Sequence, residues 1–243
     1  MTPSLFFPSI AMRKFFVTIA TACAIAAQPL HAQTTTIGAS RTDSYGPFTK
    51  AAGGFQSVGQ SFQAPSGALR LQSFSLQFSD FNNGADLKFD AYLFAFNAAE
   101  RRVTGSALWS FSNIAGSSNL FDFDTKTFAM GNVMLTPGTT YIVLVSTSAQ
   151  GDGVPEDAAN LIGVNTTDEY TGGSFWYALN GSNFDLLRNQ GAFIADDYAT
   201  DASFSATFLT DAQVVPEPAS VLLTGAGLLL VGVVVRRRHL TAA

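Results

Sequence analysis

Alternation of apolar and polar residues with a period of two restricts the fold of this chain more than any other feature. In segment 73–78, phenylalanine and leucine alternate with serine and glutamine, and similar alternation runs through 87–93, 121–124 and 202–208. A period of two places successive side chains on opposite faces of a strand, whereas a helix needs a period of 3.6. No helical period longer than two turns competes. The pattern predicts strands with one buried face.

Turn residues separate the predicted strands. Glycine, asparagine and proline favour the backbone angles that tight turns need. They occur together in four places: Ala64–Gly67, Asn82–Gly84, Thr136–Gly138 and Asn180–Gly181. Segment 141–145 is apolar throughout, which predicts a strand buried on both faces that follows an edge strand at 133–135. Segments 160–163 and 183–189 are each compatible with one short helix.

The predicted fold class is all-β, with eight to ten short strands in a single β-sandwich of jelly-roll type. Residues 33–212 form the predicted domain, which is long enough for one core. Eighteen of the 22 phenylalanines fall within it. Burying each contributes about 1.5–3 kcal/mol, so phenylalanine is the expected main core residue.

Residue types that the domain lacks exclude several classes of function. His31, His239 and Cys23 all lie outside 33–212. The domain therefore has no disulfide, no Ser-His-Asp or Cys-His catalysis and no typical zinc site. It carries 8 basic and 17 acidic residues, a net charge of 8 − 17 = −9. So acidic a domain is a poor nucleic-acid binder. We expect no cofactor and no resident metal.

Carboxylates are the remaining candidates for chemistry. Segment 152–157 offers oxygen ligands for Ca²⁺, but its spacing matches no EF-hand, and a solvated acidic loop is the preferred interpretation. The same interpretation applies to Asp168–Glu169 and Asp196–Asp197. Asp122 and Asp124 lie two apart on one predicted strand face, the spacing of a chelating or glycosidase pair. The preferred interpretation is that Asp122 and Asp124 belong to an exposed polar strand face without a ligand or a catalytic role.

Two tryptophans are the candidates for ligand binding. Trp109, and Trp176 within the aromatic run 175–177, have flat apolar rings that suit the CH faces of sugars. The competing and favoured interpretation is that both rings belong to the core of this phenylalanine-rich domain.

Segment 213–243 consists of three consecutive elements. They are a short motif (Pro216, Glu217, Pro218), an uncharged apolar stretch (219–235) and a basic cluster (Arg236, Arg237, Arg238). The apolar stretch predicts a transmembrane helix of 17 residues, which spans roughly 26 Å and so reaches the lower limit for crossing a bilayer. The prolines mark its start, and the arginines act as a stop-transfer signal that stays in the cytoplasm.

This tail resembles the PEP-CTERM sorting signal of Gram-negative bacteria, which a membrane protease-transferase called an exosortase processes. The resemblance implies an exosortase as partner, transient membrane anchoring, and association with exopolysaccharide or biofilm at the cell surface. Segments 58–62, 87–96 and 135–141 are similar to the jelly-roll domains common ahead of such tails. An ordinary C-terminal membrane anchor is the alternative for 219–235.

Residues 1–32 are predicted to be a signal peptide that signal peptidase removes before Gln33. Arg13 and Lys14 form its basic region, an apolar core follows, and Met12 is the expected true start. The sequence before Cys23 is weakly similar to a lipobox, so a lipoprotein is the alternative.

The sequence thus predicts an exported, exosortase-sorted surface or extracellular-matrix protein without enzymatic activity, associated with exopolysaccharide. Two alternatives remain for the domain. A carbohydrate-binding module requires Trp109 or Trp176 exposed on a concave face. A carboxylate-dependent glycoside hydrolase requires two acids facing each other across a cleft.

Overall fold

The computed structural model describes residues 33–67, 70–120, 122–150, 155 and 157–210, all of which belong to one compact unit. The predicted signal peptide, 1–32, and the predicted sorting tail, 213–243 with its apolar stretch, lie outside the described residues. Within the described ranges, no helix has the length and apolar character needed to cross a membrane.

Described residues form an all-β structure of two antiparallel sheets, as the alternation predicts. Its strands, thirteen in the described part of the chain, exceed the predicted eight to ten: β1 Gln33–Ala39, β2 Asp43–Thr49, β3 Ser57–Gln63, β4 Arg70–Asn82, β5 Lys88–Asn97, β6 Arg102–Ala115, β7 Asp124–Met134, β8 Thr140–Ser146, β9 Ala159–Asn165, β10 Phe175–Ala178, β11 Ile194–Ala195, β12 Asp201–Ala202 and β13 Phe204–Thr210. The described residues also form two short 3₁₀ helices, Gly84–Asp86 and Phe184–Arg188.

The two sheets pack face to face as a β-sandwich. The first sheet has the order β1-β13-β4-β9-β12, with β2 paired to β9 and β7 paired to β4. The second sheet has the order β11-β10-β3-β8-β5-β6. In the second sheet β6 and β11 therefore lie at opposite ends, and among the described strands each pairs on one side only.

Phenylalanine dominates the core, as predicted. Phe74 of β4 stacks on Phe204 of β13 with ring centroids 5.5 Å apart, and Phe78 stacks on Phe89 of β5 at 5.2 Å. The second of these contacts joins the two sheets. Among the described residues, nine phenylalanines are fully buried: Phe48, Phe62, Phe74, Phe78, Phe89, Phe94, Phe175, Phe193 and Phe208.

Strand β8 is buried on both faces, which confirms the prediction for 141–145. Tyr141, Val143 and Val145 contribute to the core between the sheets, while Ile142 and Leu144 belong to a second apolar cluster. Fully buried side chains from a later part of the chain, Leu187 and Phe193, complete that cluster. Residues of β5, β8 and β10 are therefore covered on both faces of the second sheet, although the sequence pattern predicts one covered face for β5.

Local predictions succeed at the turns and at one of the two candidate helices. Gly138 and Gly181 adopt positive φ angles of 74° and 54° in predicted turns, a conformation that glycine tolerates best. Segment 183–189 contains the second 3₁₀ helix, with the Asn183 side chain accepting a hydrogen bond from the Asp185 amide. The prediction for 160–163 is wrong, because this segment is part of β9 and buries Ile162 in the core.

One buried polar contact connects the sheets through the core. Gln60 of β3 donates from Nε2 to Asp201 Oδ1 at 2.9 Å and accepts from the Ala202 amide at 2.7 Å. The second Asp201 oxygen accepts from the Tyr170 amide at 2.9 Å. Gln60 and Asp201 are fully buried, and burial raises the pKa of Asp201 above its ordinary value. We call Gln60, Asp201 and Ala202 the inter-sheet clamp.

Removing the Gln60 amide should destabilise the fold strongly. Gln60→Leu leaves the Asp201 carboxyl and the Ala202 amide without their partner, which should lower the free energy of unfolding by about 2–4 kcal/mol. Urea denaturation followed by tryptophan fluorescence measures this. The control is Gln72→Leu, an exposed position on β4, with an expected change below about 0.5 kcal/mol. Equal effects of the two substitutions would show that the clamp contributes nothing specific.

Candidate functional site

Two crossed hydrogen bonds between tyrosine and aspartate form the most developed polar arrangement near the surface. The Tyr45 hydroxyl donates to Asp196, and the Tyr198 hydroxyl donates to Asp43. Asp43 and Tyr45 lie on β2 of the first sheet, whereas Asp196 and Tyr198 lie in the segment between β11 and β12. We call these four residues the tyrosine–carboxylate cluster. It links β2 to the segment that leaves the end of the second sheet.

Aromatic rings extend the cluster from the core to the surface. Tyr45 stacks on Phe55 with centroids 5.3 Å apart and an interplanar angle of 7°, and it lies 6.4 Å from Tyr198 on another side. Tyr177 contacts Phe55 at 4.4 Å. Tyr45, Phe55 and Tyr177 are half-buried, but Tyr198 is 52% exposed. Its ring is therefore available to a ligand.

Hydrogen bonding keeps both carboxylates of the cluster ionised. Burial by itself raises the pKa of Asp196, but hydrogen bonds from Tyr45 and from two backbone amides outweigh it and lower the pKa below its ordinary value of 3.8. The Tyr198 hydroxyl lowers the pKa of Asp43 in the same way. Burial, followed by the bond to Asp196, raises the pKa of Tyr45. At neutral pH the cluster is two carboxylates and two neutral phenols.

This protonation state suits binding better than acid–base catalysis. A glycosidase needs one protonated carboxyl as its acid, with a raised pKa, beside a second ionised carboxylate. Asp43 and Asp196 both have lowered pKa values. Among described carboxyls, the pKa of Asp201 is clearly raised, but Asp201 is fully buried in the inter-sheet clamp. Ionised carboxylates beside an exposed ring can instead accept hydrogen bonds from a polyhydroxylated ligand.

Trp176 occupies the second apolar cluster. It is 7% exposed, its Nε1 donates to Ser61 Oγ at 2.9 Å, and its ring packs against that of Phe96 with centroids 5.2 Å apart and an interplanar angle of 61°. These contacts leave little of its surface for a sugar. The structure therefore assigns Trp176 to packing.

Trp109 lies at the other end of the second sheet, on β6, and is half-buried. Its ring is nearly parallel to that of Phe111, with an angle of 14° and a centroid distance of 6.4 Å, and it contacts Phe128 of β7 at 6.2 Å. Phe111 is 59% exposed. Sequence reasoning overlooked Phe111, although its position two residues after Trp109 indicates the same strand face.

Asp122 and Asp124 do not share a strand face. Strand β7 begins at Asp124, and Asp122 precedes it as an exposed residue. The predicted strand is therefore wrong for residues 122 and 123. Asp124 accepts hydrogen bonds from Ser117 Oγ at 2.6 Å and from Asn119 Nδ2. Its two oxygens hold the loop before β7, which explains the residue without a ligand.

The other candidate carboxylates are dispersed. Glu169 accepts from the Ser40 hydroxyl at 2.6 Å and the Ser40 amide at 2.8 Å, which lower its pKa. In the described ranges, no three His, Cys, Asp or Glu side chains come together as a metal site. The predicted loop 152–157 lies largely outside the described residues. So do the sorting motif 216–218 and the stop-transfer cluster 236–238.

Comparisons with known proteins identify no family for this chain. No family model matches the chain, and no curated protein matches it. A structural search found similarity to the VP2 subviral particle of infectious bursal disease virus, with 12% sequence identity and a TM-score of 0.32. The similarity covers 82% of this chain and 48% of the VP2 chain. This chain therefore spans about half the length of the VP2 chain. At this TM-score the similarity supports no statement about function.

Acid stability should depend on the Tyr45–Asp196 hydrogen bond. The folded-state pKa of Asp196 lies below 3.8, so its stabilising contribution is present above that pH and is lost as the pH falls through the folded value. Tyr45→Phe removes the donor. We expect a melting temperature about 2–4 °C lower at pH 7 and a shallower loss of stability in acid.

Thermal unfolding between pH 7 and pH 2 measures both effects. Asp197→Asn is the matched control, because Asp197 is the exposed neighbouring carboxylate. It should leave the melting temperature and its acid dependence unchanged. An acid profile for Tyr45→Phe that coincides with that of the unsubstituted protein would contradict a role for this bond.

Proposed function

We propose that this protein is exported, sorted by an exosortase, and retained as a non-enzymatic component of the cell surface or extracellular matrix. The tail carries this proposal, because Pro216, Glu217 and Pro218, the apolar stretch and Arg236–Arg238 occur in the order of a PEP-CTERM signal. The signal-peptide pattern of 1–32 supports it. On this proposal the β-sandwich is of jelly-roll type and is exposed outside the cell.

Each part of the tail has a separate physical role in the proposal. The apolar stretch 219–235, predicted to be a transmembrane helix, is a temporary anchor that holds the sorting motif just outside the bilayer. Pro216 and Pro218 keep the chain extended, as entry into a protease cleft requires. Glu217 supplies the one charge that a recognition pocket can read, and Arg236–Arg238 fix the depth of the helix.

Absence of enzymatic activity is supported by the residues of the domain. Segment 33–212 has neither histidine nor cysteine, and the two carboxylates of the tyrosine–carboxylate cluster have lowered pKa values. These properties argue against the glycoside hydrolase alternative. A matrix protein needs only a stable fold, export and attachment, for which the core and the tail suffice.

Two substitutions in the tail should have different effects. Glu217→Ala should still insert into the membrane but remain there uncut, because the helix is intact and the recognition charge is gone. Replacement of Arg236–Arg238 by alanine should weaken anchoring and let the uncut precursor pass through the membrane. Fractionation of the native host, with the intact mass of the released protein, measures both.

Two results would contradict the sorting proposal. One is a mature wild-type protein that retains 219–235. The other is normal release of the Glu217→Ala protein. Either would make an ordinary membrane anchor the better interpretation of this segment.

A second candidate function, carbohydrate binding, is favoured by the tyrosine–carboxylate cluster. The Tyr198 ring is 52% exposed beside the ionised carboxylates of Asp43 and Asp196. Aromatic rings stack on the CH faces of pyranoses, and carboxylates accept hydrogen bonds from their hydroxyls. The proposed partner is the exopolysaccharide that surrounds the cell.

Tyr198→Ala should weaken binding to the exopolysaccharide about tenfold, because it removes the stacking ring. Affinity electrophoresis in gels containing host exopolysaccharide measures this. Phe81→Ala is the matched control, since Phe81 is 54% exposed and outside the cluster, and it should bind like wild type. Unchanged binding by the Tyr198 variant would rule out the cluster as the site, and no binding by wild type would rule out the function.

A further inference from the structure

Strand β6 presents a free edge at the end of the second sheet. Among the described strands it pairs only with β5, so part of its backbone faces away from the sheet. Unpaired N–H and C=O groups along an extended strand are satisfied best by another extended strand. We therefore expect another β-strand to bind at this edge.

Side chains at this edge are uncharged, and three of them are large and apolar. Leu108 is 46% exposed and Phe111 is 59% exposed, with Trp109 half-buried beside them. The sequence has no charged residue between Arg102 and Asp122, and no proline there. Natural edge strands are usually protected by lysine, proline or inward-pointing charges. We call Leu108–Ser112 the edge strip.

Charge does not prevent a second copy from binding at this edge. Residues 33–212 carry 8 basic and 17 acidic residues, so two copies repel each other over most of their surface. The edge strip is neutral, and two copies can approach there with the least repulsion. A charged partner would have no oppositely charged side chain of the edge strip to contact.

Register with β5 defines how two copies would pair. Trp109, Ser110 and Phe111 lie opposite Leu93, Tyr92 and Ala91 in regular antiparallel pairing, and irregularities interrupt the ladder on both sides. An antiparallel two-fold pairing centred on Ser110 places Trp109 opposite Phe111 of the second copy, and does so twice. Aromatic pairs directly opposite each other stabilise antiparallel strands.

We propose that two copies of this protein associate through the edge strip, with Ser110 of one copy opposite Ser110 of the other. Other end strands are less suited to this role. Strand β1 has no large exposed apolar side chain, and β7 carries Asp124 and Lys126. Because the regular segment is short, the association is weak and concentration-dependent, as suits reversible assembly where the protein is crowded.

Cysteine cross-linking in the full chain tests the proposal directly. In a Cys23→Ser background, which removes the natural cysteine, Ser110→Cys should give a covalent dimer with a mild oxidant or a short bismaleimide linker. The matched control is Thr36→Cys, an exposed residue on the end strand β1, which should stay monomeric. Non-reducing gels of the protein in host membranes and released fractions give the readout.

Two further variants test the register and the aromatic pairs. A mixture of Leu108→Cys and Ser112→Cys chains should cross-link more than either chain alone, because the proposed pairing brings these positions, just outside the regular segment, next to each other. Adding Phe111→Lys to Ser110→Cys should reduce the dimer about tenfold through the loss of two aromatic pairs and the repulsion of two lysines. Circular dichroism should show an unchanged fold, because Phe111 is 59% exposed.

The proposal is overturned if Ser110→Cys cross-links no more than Thr36→Cys, or if Phe111→Lys leaves the dimer unchanged. A third result would also overturn it. If no dimer forms and added dextran instead shifts the emission of Trp109, measured with Trp176→Phe to isolate its signal, the edge strip binds glycan. None of these outcomes depends on whether the tail is sorted by an exosortase.

Discussion

The inter-sheet clamp fixes the position of one sheet relative to the other, which apolar packing alone does not do. Hydrophobic burial is non-directional, so phenylalanine packing alone tolerates small shifts of one sheet over the other. Gln60 accepts the Ala202 amide at 2.7 Å and donates to Asp201 at 2.9 Å. A shift of either strand would leave fully buried polar groups without partners, at a cost of about 1–3 kcal/mol each. The clamp therefore fixes the position of β12, from which β13 continues along β4 of the first sheet.

The apolar cluster on the outer face of the second sheet limits which surfaces of that sheet can bind a ligand or a partner. Phe193 and Leu187 pack with Phe94, Ile142 and Leu144 on its outer face, whereas both ends of this sheet carry accessible side chains. At one end the tyrosine–carboxylate cluster links the segment after β11 to β2. At the other end β6 has a free edge. Our two proposals for binding, to glycan and to a second copy, concern these opposite ends and can both apply to a protein embedded in a matrix.

Sequence reasoning located the candidate site only in part. It identified Trp109 and Trp176 by residue type, but the structure separates them, since Trp176 is 7% exposed and hydrogen-bonded while Trp109 lies half-buried at a strand edge. It interpreted Asp196–Asp197 as a solvated loop, which describes the exposed Asp197 but not Asp196. The bond from Tyr45 to Asp196 joins residues 151 positions apart. No local pattern predicts such a contact, because chain topology alone brings β2 beside the segment that follows β11.

By itself the sequence determined the all-β class, the turns, the double burial of β8 and the dominance of phenylalanine in the core. These follow from local rules, since strand periodicity and turn chemistry act within a few residues and burial free energy scales with side-chain area. Only the tertiary structure decided the strand pairing, the cover over the second sheet, the clamp and the cluster. Each depends on contacts between segments distant in the chain. Periodicity shows which face of a strand is apolar, but the partner that covers that face is set by packing of the whole domain.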